Sequence, residues 1–277
     1  MRSLDFPTNI DRYRTTRIES VDEETRCVKT FAFKDELCNR AEIGQYIMLW
    51  LQGIDEIPLS LSAIDNNGRS MITVEKIGRA TSALHSMRGG DFISLRGPYG
   101  SSFRLVEGDV LIVGGGLGLA PLLPLTDRLA KMGSKITFIV GAKTKEEVIF
   151  VNKIEPILQA ASGELIVVTE DGSRGIRGLA TDPIEELFAD NVFDMVYTCG
   201  PELMMKLVFD MAESEGVEVQ ACFERIIRCS VGLCGSCVIG KFRVCKEGPV
   251  LSSKQLREVL DEFGVFKRDF DGRRIDL

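Results

Sequence analysis

The sequence lacks two features that would place it in particular classes of protein. It has no excess of positive charge, because 34 lysines and arginines stand against 41 aspartates and glutamates, a net charge of −7. Nucleic acid is bound by a basic face, so we expect no nucleic-acid partner. It also has no long hydrophobic run. The longest, residues 110–125, is rich in glycine and broken by Pro121 and Pro124, so we expect no membrane span.

Two further shortages concern the N-terminus and histidine. The first residues, MRSLDFPTNIDRYRTT, contain no apolar core of the kind that a secretory signal needs. We therefore expect a cytoplasmic protein, in which thiols stay reduced. Histidine occurs once, as His85, and we assign it no redox role. Cysteine, in contrast, occurs eight times, and clustered cysteines in a reducing compartment indicate metal ligands or redox groups before disulfides.

Four cysteines lie close together in the stretch RCSVGLCGSCVIGKFRVCKEGPV, as Cys229, Cys234, Cys237 and Cys245. Their spacing, C-x4-C-x2-C with a later cysteine, is typical of plant-type [2Fe–2S] ferredoxins. Glycines between them would let the main chain wrap closely round a cluster whose sulfides accept N–H donors. Zinc ribbons usually have two C-x2-C pairs, whereas this stretch has one. A zinc site or disulfides therefore remain the less favoured interpretations.

The chain changes its pattern near residue 107. Before it, residues 10–105 contain short β-branched and aromatic segments separated by turns such as DNNG at 65–68, which predicts a small antiparallel barrel or sandwich. After it, strands alternate with helices, which predicts a doubly wound parallel sheet. We therefore expect an α/β fold plus a β-barrel. The predicted domains are a β domain at 1–105, an α/β domain at 106–221, and a cysteine segment with a tail at 222–277.

A glycine-rich turn follows the first strand of the α/β domain, with glycines at Gly114, Gly115, Gly116 and Gly118. At this place a parallel sheet presents helix N-terminal N–H groups to a phosphate, so the turn predicts a nucleotide site. The G-x-G-x-x-G fingerprint is not met in register, since Ala120 and Pro121 follow. The acid usually found about 20 residues further on is also absent. These departures argue against the common Rossmann variety, and a tight turn without a ligand is the alternative.

Two later stretches fall where the same sheet would bind ligands. Cys199, Gly200 and Pro201 follow the fourth predicted strand, and Glu170 and Asp171 follow the third. Open α/β sheets bind ligands at these strand ends. A carboxylate there accepts hydrogen bonds from a ribose diol and repels a 2′-phosphate, which favours NADH over NADPH. For either acid, a solvated turn residue is the alternative interpretation.

Two stretches of the β domain resemble flavin-binding segments of the ferredoxin reductase family. In IPLSLS, the residues Pro58, Leu59 and Ser60 match the family's flavin strand, where the serine bonds the edge of the flavin ring. Ile57 departs from the pattern, because many relatives have arginine there. One pyrophosphate contact must then come from elsewhere or be missing. In VEKIGRATSAL, backbone amides and hydroxyl groups would hold the pyrophosphate, and the matching residues are Val74, Glu75, Lys76, Gly78, Thr81 and Ser82.

Together, the three parts of the chain resemble the ferredoxin reductase family over nearly the whole length. Within that family, a last cysteine followed by KEGPV resembles the electron-transfer subunits of dihydroorotate dehydrogenase B, which serve pyrimidine biosynthesis. The resemblance implies FAD on the β domain, NAD(H) on the α/β domain and a [2Fe–2S] cluster on the four clustered cysteines. It also implies a partner subunit with FMN and the orotate site, in a heterotetramer of two subunits of each kind.

The resemblance also implies a path for electrons. NADH would lie over the glycine turn with its nicotinamide near Cys199 and Gly200, hydride would pass to the flavin, and single electrons would leave through the cluster. No side chain is needed as a general acid or base, so we name no catalytic residue. Two alternatives stay open. One is a flavin and iron–sulfur subunit of another assembly, of the ferredoxin:NADP oxidoreductase or sulfhydrogenase type. The other is a zinc-binding protein that is not an enzyme.

Overall fold

The structure is a computed structural model that describes residues 10–64 and 68–277. Of the predicted DNNG turn at 65–68, all but Gly68 therefore lies outside the described residues. Among the described residues, no helix is both long enough and apolar enough to cross a membrane.

The first part of the chain folds into a closed antiparallel barrel of six strands. The strands are β1 (Arg14–Glu23), β2 (Val28–Lys34), β3 (Tyr46–Leu51), β4 (Asp55–Ile64), β5 (Arg69–Glu75) and β6 (Phe92–Tyr99). They adjoin in the order β1-β2-β5-β4-β3-β6, and β6 pairs with β1 to close the barrel. A short helix, α1 (Arg79–His85), follows β5. The barrel confirms the antiparallel fold predicted from the β-branched and aromatic segments.

The barrel is closed around side chains at alternate strand positions. Phe31 and Phe33 of β2 and Ile47 and Leu49 of β3 are all 0% exposed. Successive residues of a strand point to opposite faces, so Met48, between Ile47 and Leu49, is also buried but packs in a different core. His85 lies against this core, where its Nε2 is 2.8 Å from the carbonyl oxygen of Val74.

The rest of the chain forms a second sheet, its helices and two small hairpins. The strands of the large sheet are β7 (Asp109–Gly115), β8 (Lys135–Ala142), β9 (Glu164–Thr169), β10 (Ile176–Arg177), β11 (Met195–Cys199), β12 (Val219–Cys222) and β15 (Val250–Ser252). The two hairpins are formed by β13 (Val238–Ile239) with β14 (Phe242–Arg243) and by β16 (Phe266–Arg268) with β17 (Arg274–Asp276). The helices of this part are α2 (Leu119–Lys131), α3 (Val151–Ala160), α4 (Ile184–Asp190), α5 (Glu202–Ser214) and α6 (Ser253–Leu256).

The large sheet is covered by helices on both faces. Its strand order is β10-β9-β8-β7-β11-β12-β15. In β7, Leu111 and Val113 pack in one core with α4 and α5, whereas Val110 and Ile112 pack in another with α2 and α3. A strand that is buried on both faces is apolar at every position, which explains the run VLIV. The doubly wound sheet predicted from the sequence is confirmed.

One strand of the large sheet comes from the cysteine segment. β15 pairs antiparallel with β12, and Cys222 lies opposite Val250, whereas the other neighbouring strands of the sheet run parallel. The cysteine segment is therefore joined to the α/β domain by main-chain hydrogen bonds between β15 and β12, in addition to the covalent connection. The bounds of the three domains remain predictions.

Candidate functional site

The barrel carries a cavity of about 270 Å³, here called the barrel cavity. All three parts of the chain line it. The lining residues are Tyr46, Ile57, Pro58, Leu59, Ser60, Thr73, Val74, Glu75, Ile77, Thr81, Leu117, Ala120, Phe223, Glu224, Arg225, Ile227 and Pro249. Strand pairing explains part of this grouping, because Tyr46 of β3 lies directly opposite Ser60 of β4.

Most of the predicted flavin residues, but not all, line the barrel cavity. Thr81 does so, and its Oγ1 accepts hydrogen bonds of 2.9 Å from the N–H groups of Ile77 and Gly78, which caps the start of α1. Gly78, Lys76 and Ser82 lie in the same turn and first helical turn without lining the cavity. Ile57, which replaces the family's arginine, does line it.

Two residues that the sequence analysis did not name, Glu224 and Arg225, also line the barrel cavity. They follow β12, and strand ends of such a sheet are where ligands bind. Their position at a strand end is the sequence feature that could have identified them as binding residues. The Glu224 side chain is exposed in the cleft, and partial desolvation by the surrounding protein raises the pKa of its carboxyl. Lys267 opposes this shift and Glu75 adds to it.

Arg225, which lines the cavity, has an unused hydrogen-bond donor. Its side chain is 4% exposed and pairs with Glu202 through contacts of 2.5 and 2.9 Å. Its Nε is buried and has no hydrogen-bond partner in the described structure. Buried donors in native proteins are nearly always satisfied, so a bound group with acceptor atoms fits here. A flavin ring has such acceptors along its edge.

A second cavity, of about 470 Å³, lies at the carboxyl ends of the parallel strands and is here called the sheet cavity. Gly115 and Gly116 of the glycine turn line it, together with Glu170, Pro201 and an apolar group that includes Leu203. A third cavity, of about 320 Å³, is the bridging cavity. It shares Gly115, Gly116 and Pro201 with the sheet cavity and Glu75, Ile77, Leu117, Glu224 and Arg225 with the barrel cavity. A ligand could therefore extend from the sheet to the barrel.

The glycine turn packs directly against the loop after β11. A Cβ added at Gly118 would overlap the carbonyl group of Cys199, and one added at Gly200 would lie 2.9 Å from the carbonyl oxygen of Gly115. Gly200 also has a φ of +151°, which favours glycine. Gly114 lies against Leu119 of α2 instead of facing a cavity. The glycines therefore bring two loops into backbone contact at the sheet edge.

The Cys199 side chain lies away from the cavities. It is 2% exposed, and the register places it beside Cys222 of β12. A hydrogen bond with Cys222, together with burial, raises the pKa of the Cys199 thiol. Gly200 and Pro201, in contrast, line the bridging cavity. The structure therefore directs the backbone of this loop, but not the thiol, towards a ligand.

The two adjacent acids after β9 have different surroundings. Glu170 lines the sheet cavity. Asp171 instead accepts hydrogen bonds from the backbone N–H and the hydroxyl of Ser173, at 2.9 and 2.7 Å. These bonds to Ser173 lower the pKa of Asp171. Glu170 is therefore the acid that a bound nucleotide would meet.

The four clustered cysteines lie in the segment between β12 and β15, which includes the β13–β14 hairpin and is here called the cysteine loop. Cys237 and Cys245 are each 2% exposed, Cys229 is half-buried and Cys234 is exposed. The Cys229 sulfur accepts N–H groups of Leu233 and Cys234 at 3.3 and 3.4 Å, and the Cys237 sulfur accepts that of Cys245 at 3.4 Å. An iron–sulfur cluster is held by cysteine thiolates, and hydrogen bonds to the sulfurs tune its potential, so these residues fit one.

Two of these thiols have opposite pKa shifts. Burial alone would raise the pKa of Cys229, but the N–H groups of Cys234 and Leu233 outweigh it and lower that pKa to about 6. Burial and the Cys237 thiol raise the pKa of Cys245 to about 12. A metal centre binds thiolates, so its binding would release the Cys245 proton.

In the described residues, no three His, Cys, Asp or Glu side chains group around one ion. A [2Fe–2S] cluster does not need such a group, because it divides its four ligands between two irons.

The comparisons with known proteins agree with this arrangement. A family model described as the iron–sulfur cluster binding domain of dihydroorotate dehydrogenase B matches residues 224–257, which contain all four cysteines. A second, the oxidoreductase NAD-binding domain, matches residues 112–210, which contain the glycine turn and the loop after β11. The predicted iron–sulfur and NAD-binding regions are thereby confirmed as regions of the chain, and the individual ligands remain predictions.

Similar proteins span nearly the whole chain. One from Pyrococcus furiosus is 40% identical over 262 residues, 94% of this chain and 98% of that protein. One from Methanocaldococcus jannaschii is 38% identical over 261 residues, 94% and 96%. Both are named "Probable dihydroorotate dehydrogenase B (NAD(+)), electron transfer subunit". A chain of an NADH-dependent reduced ferredoxin–NADP oxidoreductase structure superimposes with a TM-score of 0.79 at 29% identity, covering 90% of this chain and 92% of that one.

A closed antiparallel barrel, a nucleotide-binding sheet and an iron–sulfur segment, with cavities that run from sheet to barrel, define an oxidoreductase of the ferredoxin reductase type. The identity to the Pyrococcus and Methanocaldococcus proteins over more than nine-tenths of the chain narrows this class. The chain belongs to the family of dihydroorotate dehydrogenase B electron transfer subunits.

Proposed function

We propose that this chain passes electrons between NAD(H), FAD, a [2Fe–2S] cluster and the catalytic subunit of an NAD-linked dihydroorotate dehydrogenase B. The observation that carries the proposal is the continuity of the cavities. Gly115 and Gly116 of the nucleotide side share the bridging cavity with Glu75 and Arg225 of the flavin side. A nicotinamide ring in the bridging cavity would therefore face a flavin ring in the barrel cavity.

The cofactors would supply the redox chemistry, because a flavin can accept the hydride of NADH, two electrons with one proton, and release the electrons singly to an iron–sulfur cluster. The protein binds, orients and separates these groups. Residues 1–105 would hold FAD, residues 106–221 NAD(H), and residues 222–277 the cluster. No side chain needs to transfer a proton for this path, and we propose no catalytic residue.

The proposed binding residues are those expected from the sequence, and most but not all of the FAD and NAD(H) residues line one of the three cavities. For FAD they are Pro58, Leu59, Ser60, Val74, Glu75, Lys76, Gly78, Thr81 and Ser82, with Arg225 added by the structure. For NAD(H) they are Gly114, Gly115, Gly116, Gly118, Glu170, Asp171, Cys199, Gly200 and Pro201. For the cluster they are Cys229, Cys234, Cys237 and Cys245. Of the two acids, Glu170 lines the sheet cavity and Asp171 supports the turn beside it.

The name of the relatives, electron transfer subunit, supports a catalytic partner for this chain as well. We propose that the partner carries FMN and the orotate site, and that two copies of each subunit assemble into a heterotetramer. We also propose the cytoplasm as its location, because a segment of cysteine ligands suits a compartment that keeps thiols reduced.

The decisive experiment is purification of the chain alone and then with its partner. Alone, it should show flavin and iron–sulfur absorption bands and reduce an artificial dye with NADH, without oxidising dihydroorotate. With the FMN subunit it should reduce NAD⁺ with dihydroorotate. A colourless protein with stoichiometric zinc would contradict the proposal at its first step.

A second candidate function is supported by the structural comparison. The chain with a TM-score of 0.79 comes from an NADH-dependent reduced ferredoxin–NADP oxidoreductase, and it is 29% identical. A flavin and iron–sulfur subunit of such an assembly would need the same three sites. Mass spectrometry of the co-purified partner separates the two functions, since only one of them brings an FMN protein that oxidises dihydroorotate.

A further inference from the structure

One arginine of the barrel reaches the cysteine loop. Arg96 of β6 has a side chain that is 11% exposed. Its Nη1 donates to the carbonyl oxygen of Cys229 at 3.1 Å, and its Nη2 donates to that of Arg228 at 3.3 Å. Nη1 also donates to the Tyr99 hydroxyl at 3.2 Å. A residue 133 positions before Cys229 therefore holds the backbone of a proposed cluster ligand.

The same guanidinium is held by the strand that carries the proposed flavin residues. Its Nε and Nη2 donate to the two carboxylate oxygens of Glu56 at 2.6 and 2.8 Å. Glu56 belongs to β4, two positions before Pro58, and its side chain is 18% exposed. It also accepts a hydrogen bond from the Tyr13 hydroxyl at 2.9 Å. Bidentate pairs of this kind have a defined geometry that a lysine cannot reproduce.

We propose that Arg96 is a positioning residue that fixes the Cys229 end of the cysteine loop to the flavin-binding strand β4. With Glu56, it also tunes the reduction potential of the cluster bound there. The inference rests on the proposed function, because it presupposes a cluster on the four cysteines and a flavin on β4.

The two charges of the pair have opposite effects on the cluster. Reduction adds a negative charge to the cluster, so a nearby cation raises the reduction potential and a nearby anion lowers it. In the wild-type protein Glu56 offsets much of the charge of Arg96. Arg96→Gln leaves Glu56 uncompensated and should lower the potential, whereas Glu56→Gln leaves Arg96 uncompensated and should raise it. A role in folding alone would not give shifts of opposite sign.

The test measures the cluster midpoint potential by redox titration with electron paramagnetic resonance, in the holoprotein and in both variants. Each variant should change the equilibrium constant of cluster reduction by about tenfold, which is 59 mV for one electron. The dye reductase activity with NADH should persist, since neither residue belongs to the proposed NAD(H) or FAD contacts. Equal or unidirectional shifts would overturn the role of the pair.

A conservative variant separates position from charge. Arg96→Lys keeps the charge but loses the fork, so its potential should stay near that of the wild type. Electron transfer from flavin to cluster should slow, because lysine loses the bidentate contact that fixes the Cys229 end of the cysteine loop. In the metal-free protein, amide exchange at 228–234 should rise in Arg96→Lys and Arg96→Gln. Unchanged exchange and unchanged transfer rates in both would contradict the positioning role.

A matched control is available on the surface. Arg257 donates to both carboxylate oxygens of Glu213 at 2.6 and 2.7 Å, with the same fork as Arg96 and Glu56. Arg257→Gln and Glu213→Gln should leave the cluster potential unchanged, and a shift as large as that of the Arg96 variants would overturn the inference. A wild-type protein without any iron–sulfur cluster would instead contradict the proposed function itself.

Discussion

The hydroxyl of Tyr46 donates a hydrogen bond of 3.4 Å to the carbonyl oxygen of Cys245, which lies 199 positions later in the chain. Tyr46 begins β3, where it pairs with Ser60 of β4, and it lines the barrel cavity. One side chain therefore contacts both the proposed flavin site and a proposed cluster ligand. With Arg96, it ties two of the four cysteines to the barrel, so the relative position of the two centres depends on barrel residues.

Removing that hydroxyl should weaken the cysteine segment. Tyr46→Phe keeps the ring but leaves the Cys245 carbonyl without this donor, which should lower the free energy of unfolding by about 1 kcal/mol. Iron release to a chelator should become faster, because the segment that holds Cys245 is less well anchored. Denaturant unfolding of the metal-free protein and the half-time of iron release measure the two effects.

Tyr197→Phe is the matched control for this change. The Tyr197 hydroxyl donates to the carbonyl oxygen of Arg104 at 2.9 Å and accepts the N–H of Val106 at 3.1 Å, away from the cysteine loop. Because it breaks two hydrogen bonds, it should lower stability by at least as much as Tyr46→Phe without changing iron release. Equal rates of iron release in the two variants would show that the Tyr46 contact has no specific effect on the cluster.

Local sequence patterns were sufficient for the elements whose determinants lie close together in the chain. The cysteine spacing, the glycine turn and the alternation of strands and helices each depend on residues a few positions apart. They predicted the barrel, the doubly wound sheet and the iron–sulfur segment. The same reasoning identified the strand end at Glu170 and Asp171, but not which acid faces the cavity, because that depends on the turn formed with Ser173.

Contacts between distant parts of the chain could not be predicted in this way. Arg96 and Glu56 belong to strands whose alternation predicts a barrel, but no local pattern indicates that this pair meets Cys229. The antiparallel addition of β15 to the sheet is another example, because the strand has only three residues and no preceding helix. Glu224 and Arg225 were missed for a related reason, since their role depends on a cavity closed by the barrel.

The exposed ligand of the cysteine loop can be tested alone. Cys234→Ser should lose the cluster, because an alcohol is a far weaker iron ligand than a thiolate, while NADH-to-dye activity remains. Iron analysis and the visible spectrum measure the first effect, and a dye assay measures the second. Cys27→Ser is the control, because Cys27 is exposed and lies outside the cysteine loop. A Cys234→Ser protein that keeps two irons per chain would refute the ligand assignment.

The contact between the glycine turn and the loop after β11 predicts a steric effect. In Gly118→Ala the new methyl group would overlap the Cys199 carbonyl group. The two loops should move apart, with a loss of roughly 1–3 kcal/mol of stability and weaker NADH binding. Gly116→Ala is the comparison. Its Cβ meets nothing within 4 Å, and only its φ of +55° opposes alanine, at about 1 kcal/mol. Thermal unfolding and NADH titration should show a larger loss of stability and of NADH affinity in Gly118→Ala than in Gly116→Ala.

The different surroundings of Glu170 and Asp171 predict different effects on cofactor choice. Glu170→Gln removes the charge that would repel a 2′-phosphate, so the preference for NADH over NADPH should fall by about tenfold, close to 1.4 kcal/mol. Asp171→Asn weakens the turn at Ser173 and should lower affinity for both cofactors alike. Separate kcat/KM values for NADH and NADPH in a dye assay measure both effects, because Glu170→Gln should change their ratio and Asp171→Asn should lower both without changing it. A larger change of that ratio in Asp171→Asn than in Glu170→Gln would show that Asp171, and not Glu170, determines the choice of cofactor.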